Sequence, residues 1–168
     1  MTVEERIKGL PPLCGEHSRI LILGSMPSVA SLEKQQYYGH PRNAFWPIMA
    51  ELLGFEKNLS YRENARRVTE HGIAIWDVIG ECVRPGSLDS AIVRGSERIN
   101  PIPDFLGTRP TIHTLALNGG TADRFFRRYC LPDLDAQALR ILSLPSTSPA
   151  NARMSFAEKC ERWRALRE

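Results

Sequence analysis

Short apolar runs alternate along this chain with longer stretches of helical patterning. Ile20, Leu21, Ile22 and Leu23 make the first run, closed by Gly24 and then Pro27. Residues 73–79, IAIWDVI, make the second, residues 111–117 the third and residues 139–144 the fourth. Runs of this length bounded by Gly and Pro predict strands, and their near-continuous apolar character predicts burial on both faces. Between them, Phe45, Ile48, Met49, Leu52 and Leu53 recur at helical spacing, with Asn43 as a possible cap and Gly54 as the stop. Pro47 falls in the first turn, where its missing N–H is tolerated. Polar helices are predicted over residues 59–71 and 121–129, and a short one near residues 103–106. A last helix is predicted over residues 155–166, where Ser155 and Glu158 have capping-box spacing. Residues 2–10 predict a short helix ended by Pro11 and Pro12. Residues 81–100 read as a loop.

Strands alternating with helices predict a parallel sheet covered on both faces, a three-layer α/β/α sandwich. No repeat or linker interrupts the 168 residues, so one domain over residues 1–168 is expected. Composition narrows the class little. The hydrophobic share is 42% and the charged share 24%, ordinary globular values. The net charge of +3 permits nucleic-acid binding without arguing for it. No apolar run approaches membrane length, so a cytoplasmic protein with no membrane partner is expected. Cys14, Cys82, Cys130 and Cys160 lack the paired spacing of a zinc site, so neither metal nor cofactor is expected.

The candidate chemistry follows the first strand. Gln35, Gln36, Tyr37, Tyr38, His40, Arg42 and Asn43 crowd ahead of Phe45 and Trp46. Open α/β sheets hold their ligands beyond the carboxyl ends of their strands. Asn118, Gly119 and Gly120 form a second Gly-rich turn whose backbone N–H groups can hold a phosphate, with Arg124, Arg127 and Arg128 on the helix behind it.

Three segments carry a resemblance. Gly24-Ser25-Met26-Pro27-Ser28 is similar to the water-holding motif of the uracil-DNA glycosylase superfamily. Tyr38 through His40, Pro41, Arg42, Asn43, Ala44, Phe45 and Trp46 is similar to its mismatch-specific branch. Leu144 through Pro145, Ser146, Thr147, Ser148, Pro149, Ala150 and Asn151 falls where the superfamily keeps its DNA-intruding motif. Within the superfamily the chain most resembles hypoxanthine-DNA (deoxyinosine) glycosylases. The resemblance spans about residues 19–166, and separated motifs in the right order are more specific than either alone.

The resemblance implies a central four-stranded parallel sheet in the order 2-1-3-4 and a monomeric repair enzyme acting on duplex DNA. Such an enzyme flips out a deaminated base, hypoxanthine first and uracil or xanthine second, and hydrolyses its N-glycosidic bond with water. It implies base contacts from residues 24–26 (Gly24, Ser25, Met26), base stacking on Tyr38 and base-edge reading by Asp77. Asp77 equally reads as a carboxylate paired with an arginine. Phe45 is a second stacking candidate, although its helical stripe argues for core. Many relatives carry Asp or Asn where this chain has Met26, and methionine cannot hold water by a strong hydrogen bond. Catalysis therefore passes to Asn43, which also suits a helix cap. His40 is the second candidate, as an acid or as a brace for its loop. Ser146, Thr147, Ser148, Asn151 and Arg153, with Asn118 and Gly119, are the expected DNA contacts. No lysine stands in either motif, so Schiff-base lyase chemistry is not expected. The other class open to the sequence is a lesion-binding module of the same fold that does not cut.

Overall fold

The computed structural model describes residues 5–168. Strand β1 (Arg6–Lys8) comes first, then β2 (Ile20–Gly24). Helices α1 (Val29–Lys34), α2 (Phe45–Leu53) and α3 (Tyr61–Glu70) lead to β3 (Ile73–Asp77). Strands β4 (Ile79–Val83) and β5 (Arg98–Ile99) follow, then α4 (Ile102–Gly107). The chain closes through β6 (Thr114–Asn118), α5 (Gly120–Tyr129), β7 (Arg140–Leu144) and α6 (Phe156–Trp163).

The main sheet is parallel, in the order β3-β2-β6-β7. This is the 2-1-3-4 arrangement the resemblance implies. The chain steps one way from β2 to β3, and the other way from β3 through β6 to β7. Right-handed crossovers therefore place α2 and α3 on one face and α4 and α5 on the opposite face. Helix α6 packs against α2 and joins the first face. The central strands are buried on both sides: Leu21, Ile22, Leu23, Leu115, Ala116 and Leu117 have no exposure. Each fully buried Leu or Ile contributes about 1.5–3 kcal/mol of apolar transfer energy.

Four expectations fail locally. The N-terminal helix is not there: residues 6–8 form β1, and residues 2–4 of that reading lie outside the described residues. The run at residues 73–79 is two strands, not one. β3 ends at Asp77, the chain bends at Val78, and Ile79 starts β4 in a second, antiparallel sheet ordered β1-β4-β5. An apolar run shows burial but not which sheet buries it, which is why the break is invisible in the pattern. The loop expected at residues 81–100 therefore supplies parts of two strands, and Glu81 draws Arg6, Lys8 and Arg98 together at 3.6–4.0 Å. The loop after β2 also contains α1, capped by Ser28, whose hydroxyl accepts from Ser31 N at 3.1 Å.

Candidate active site at the carboxyl ends of the strands

All four parallel strands end against one cavity of about 590 Å³, within the range of about 300–1,000 Å³ usual for ligand pockets. Gly24 ends β2, Asp77 ends β3 and Asn118 ends β6, and all three line the cavity. Residues 146–148 continue from β7 along another wall. Tyr38 and Asn43 reach the same space from the loop after α1.

The wall built by Asn118 is fully braced. Its Nδ2 donates to Tyr38 Oη and to Thr147 Oγ1, each at 3.1 Å, and its Oδ1 accepts from Thr147 N at 3.0 Å. Ala44 N donates to Thr147 O at 3.0 Å, so the two motif regions are bonded to each other. Trp163 on α6 donates to Pro145 O at 2.9 Å and fixes the start of the serine loop. Tyr38 sits at φ 54°, a left-handed backbone that the adjoining contacts must hold. Its ring stacks on Phe45 with centroids 3.9 Å apart, and burial raises its phenol further above the ordinary range. Tyr37, its neighbour, is the anchor: its hydroxyl donates to Pro11 O at 2.7 Å and its carbonyl accepts from Trp46 Nε1 at 2.9 Å.

Asn43 lines the cavity half-buried. Its Oδ1 accepts from Phe45 N at 2.9 Å, so it does brace the start of α2, one residue before the N-cap position at Ala44. Its Nδ2 bonds to none of the described residues. Met26 is 7% exposed and packs with Ile79 and Cys82, so the first motif meets the cavity with an apolar side chain.

The Asp77 wall is different. Asp77 is 4% exposed and makes no ion pair among the described residues. Its Oδ2 is buried without a hydrogen-bond partner. Burial first, then the charge of Asp89, pushes its carboxyl up to about 7, with Arg84 pulling the other way. The carboxyl overhangs Gly24: a Cβ there would come within 2.6 Å of Asp77 Oδ1 and 3.2 Å of Tyr38 Oη. Only glycine leaves that floor open. Asn100 holds Asp77 by the backbone, donating to its carbonyl at 2.8 Å. Behind this wall Arg84, buried, donates to Gly86 O at 2.8 Å and Pro27 O at 2.7 Å, while its Nη1 has no partner. Ser25 donates to Asp89 Oδ1 at 2.7 Å. The arginine that sequence reasoning would pair with Asp77 is thus nearby but spent on loop carbonyls.

Of the residues singled out from sequence, Gly24, Ser25, Met26, Tyr38, Asn43, Asp77, Asn118, Gly119, Ser146, Thr147, Ser148 and Asn151 meet around this cavity. Phe45 does not: it has no exposure and lies beneath Tyr38, so it supports the stacking ring instead of meeting a base. His40 stands off the cavity, and its Nδ1 accepts from Arg42 N at 3.0 Å, the brace for its own turn. Arg153 is exposed and also stands off it. Asn118 and Thr147 are buried and spent on each other, and Gly119 N donates to Leu144 O at 2.9 Å. These three hold the loops in place. Asn151 folds back on its own loop, donating to Ser146 O at 3.0 Å. Sequence reasoning missed Ser31, Leu88, Asp89 and Arg124 on the walls as site residues. The polar cluster at residues 84–90 was the available signal, but nothing local ties it to residues 24–28.

An open parallel sheet with a polar and aromatic cavity beyond its strand ends defines the class: an α/β sandwich whose candidate site lies at the carboxyl edge of the sheet. A sequence profile of the Uracil DNA glycosylase superfamily matches residues 11–167, and the chain belongs to that superfamily. It is 36% identical over 163 residues to the hypoxanthine DNA glycosylase of Methanosarcina acetivorans, covering 95% of this chain and 96% of that one. It is 32% identical over 153 residues to the hypoxanthine DNA glycosylase of Methanosarcina barkeri, covering 90% and 92%. A Methanosarcina acetivorans protein solved by solution NMR as a candidate uracil DNA glycosylase superposes with a TM-score of 0.78 at 32% identity, covering 98% of this chain and all of the other.

Proposed function

We propose that this protein is a monofunctional DNA glycosylase that removes hypoxanthine from DNA by hydrolysis and leaves an abasic site. The observation that carries the reading is the meeting of Tyr38, Asn43 and Asp77 around one cavity walled by both motif loops. The two Methanosarcina relatives named for this activity support it.

In this reading the damaged nucleotide leaves the stack and its base enters above Gly24. Tyr38, backed by Phe45, offers a ring to the base, worth about 1–3 kcal/mol as stacking. Asp77 reads the base edge. Asn43 keeps Oδ1 on α2 and turns Nδ2 to the attacking water or the departing base. The glycosidic bond breaks towards a sugar cation, and the departing base carries the electron pair. Water supplies the new bond to the sugar, and its proton leaves with the products. Lys159 donates to Ser148 O at 3.4 Å and does not line the cavity, so water remains the nucleophile. The serine loop approaches the strand on either side of the lesion. Uracil and xanthine are secondary substrates, and the enzyme acts as a monomer in the cytoplasm.

Duplexes carrying inosine, uracil or xanthine, incubated with the protein and then treated with alkali, test this. Strand cleavage at inosine is expected; none at any lesion sinks it. Met26 favours one other reading, a lesion-binding protein that does not cut. Tight binding to the inosine duplex without base release would establish that instead.

A further inference from the structure

We propose that Asp77 works as a neutral carboxylic acid, its Oδ1–H donating to the carbonyl oxygen that deamination places on a base, so that its proton selects deaminated over amino bases. This rests on the glycosylase reading above and assigns the chemistry of its base-edge contact.

A buried carboxylate needs a cation or several donors, and among the described residues Asp77 has neither. Its Oδ2 is sealed off, no ion pair among those residues reaches it, and the nearby guanidinium of Arg84 gives Nε and Nη2 to the carbonyls of Gly86 and Pro27 while its Nη1 makes no bond to Asp77. The other groups facing it do not favour a negative charge. Asp89 is a second carboxylate, and the Tyr37 and Tyr38 phenols are both held neutral by burial. A neutral acid fits this setting, with the carbonyl oxygen as the buried Oδ2 and the proton on Oδ1, the oxygen over Gly24. The elevation of the group to about 7 agrees with that assignment.

The consequence is selectivity. Hypoxanthine presents a carbonyl oxygen where adenine presents an amino group, and uracil does so where cytosine presents one. An O–H donor pairs with the carbonyl and faces the amino group donor to donor. At that same position an ionised Asp77 would do the reverse and favour the amino group. A contact between Asp77 and the deamination oxygen therefore works only with the acid protonated. A buried donor left unpaired by the wrong base is a strong basis for rejection.

The test couples activity to a direct titration. Single-turnover excision from inosine duplexes is measured from pH 5 to 9 for the wild type, Asp77→Asn and Asp77→Ala. The Asp77 side-chain carboxyl is titrated by carbon NMR, with Asp77→Asn identifying its signal. The expected result is a midpoint near neutrality and a wild-type rate that falls about tenfold per pH unit above it. Asp77→Asn, which keeps a donor, is then slower than wild type but lacks that alkaline fall, and Asp77→Ala is slow throughout. A midpoint below pH 5, or a wild-type rate that holds to pH 9, overturns this proposal while leaving the glycosylase reading intact. No excision by the wild type at any pH removes the reading and this proposal with it.

Discussion

The two sides of the cavity are built on opposite principles. On the Asn118 side the described hydrogen bonds link one loop to the next: Asn118, Tyr38, Thr147 and Ala44 form one network joining the segment between α1 and α2 to the ends of β6 and β7. On the Asp77 side two buried polar atoms, Asp77 Oδ2 and Arg84 Nη1, have no partner. A closed network is a frame, since adding a ligand to it would break bonds already made. An open one stores desolvation cost that a ligand or a proton can relieve. The first side holds the loops at the right height; the second is where the base should be read.

The sharpest break in this comparison comes from Asn43, which belongs to both sides, bracing α2 with one atom and facing the cavity with another. Asn43→Ala is expected to lower excision about 10²–10³-fold, the usual loss of one transition-state donor, with lesion binding kept and the melting temperature lowered by only the roughly 2–4 °C that losing the bond to Phe45 N costs. Loss of folding instead, seen by thermal melting, would reduce Asn43 to a cap.

Asp77 sharpens the contrast through stability. Its folded value lies above the ordinary carboxylate value, so its contribution is present below about pH 4 and is lost as pH rises through about 7. At about 1.4 kcal/mol per unit the loss amounts to up to about 4 kcal/mol. Asp77→Asn should therefore gain on the wild type between about pH 4 and 7 and level off above that, read from denaturant melts at each pH. A gap independent of pH would mean that the carboxyl is not strained.

Asn118→Ala should cost about 1–3 kcal/mol by orphaning Thr147 N, and should loosen Tyr38 and the serine loop together. Proteolysis of the loop at residues 146–151 would report this. The smallest effect is expected at His40. His40→Ala should leave excision within about threefold, as for a side chain that braces its own turn away from the chemistry; a larger fall would return it to the site.

Much of this molecule was legible from residue order. Four apolar runs, the stripe from Phe45 to Leu53 and the Ser155–Glu158 capping box are local patterns, and local patterns need only neighbours to be read; the fourth run, β7, lies at the sheet edge with only Leu144 buried. The motif at residues 24–28, the Tyr38 to Trp46 stretch and the serine loop carried the family, because chemistry constrains residue type at fixed spacing. The helical stripe already argued for Phe45 as core and the resemblance for Tyr38 as the cavity ring; what the sequence did not show is that the two rings stack on each other, with Phe45 packed in turn against Trp163.

The sequence by itself determined the four parallel strands and the main helices between them, the superfamily and the set of polar residues from which a site could be made. Tertiary structure alone decided that the run at residues 73–79 breaks at Val78 into two sheets, and that Asn118 and Thr147 serve as frame. It also left Asp77 without a cation. The physical reason is the same in each case: burial and partner choice are set by residues tens of positions away, and a side chain's charge and role follow from what closes around it.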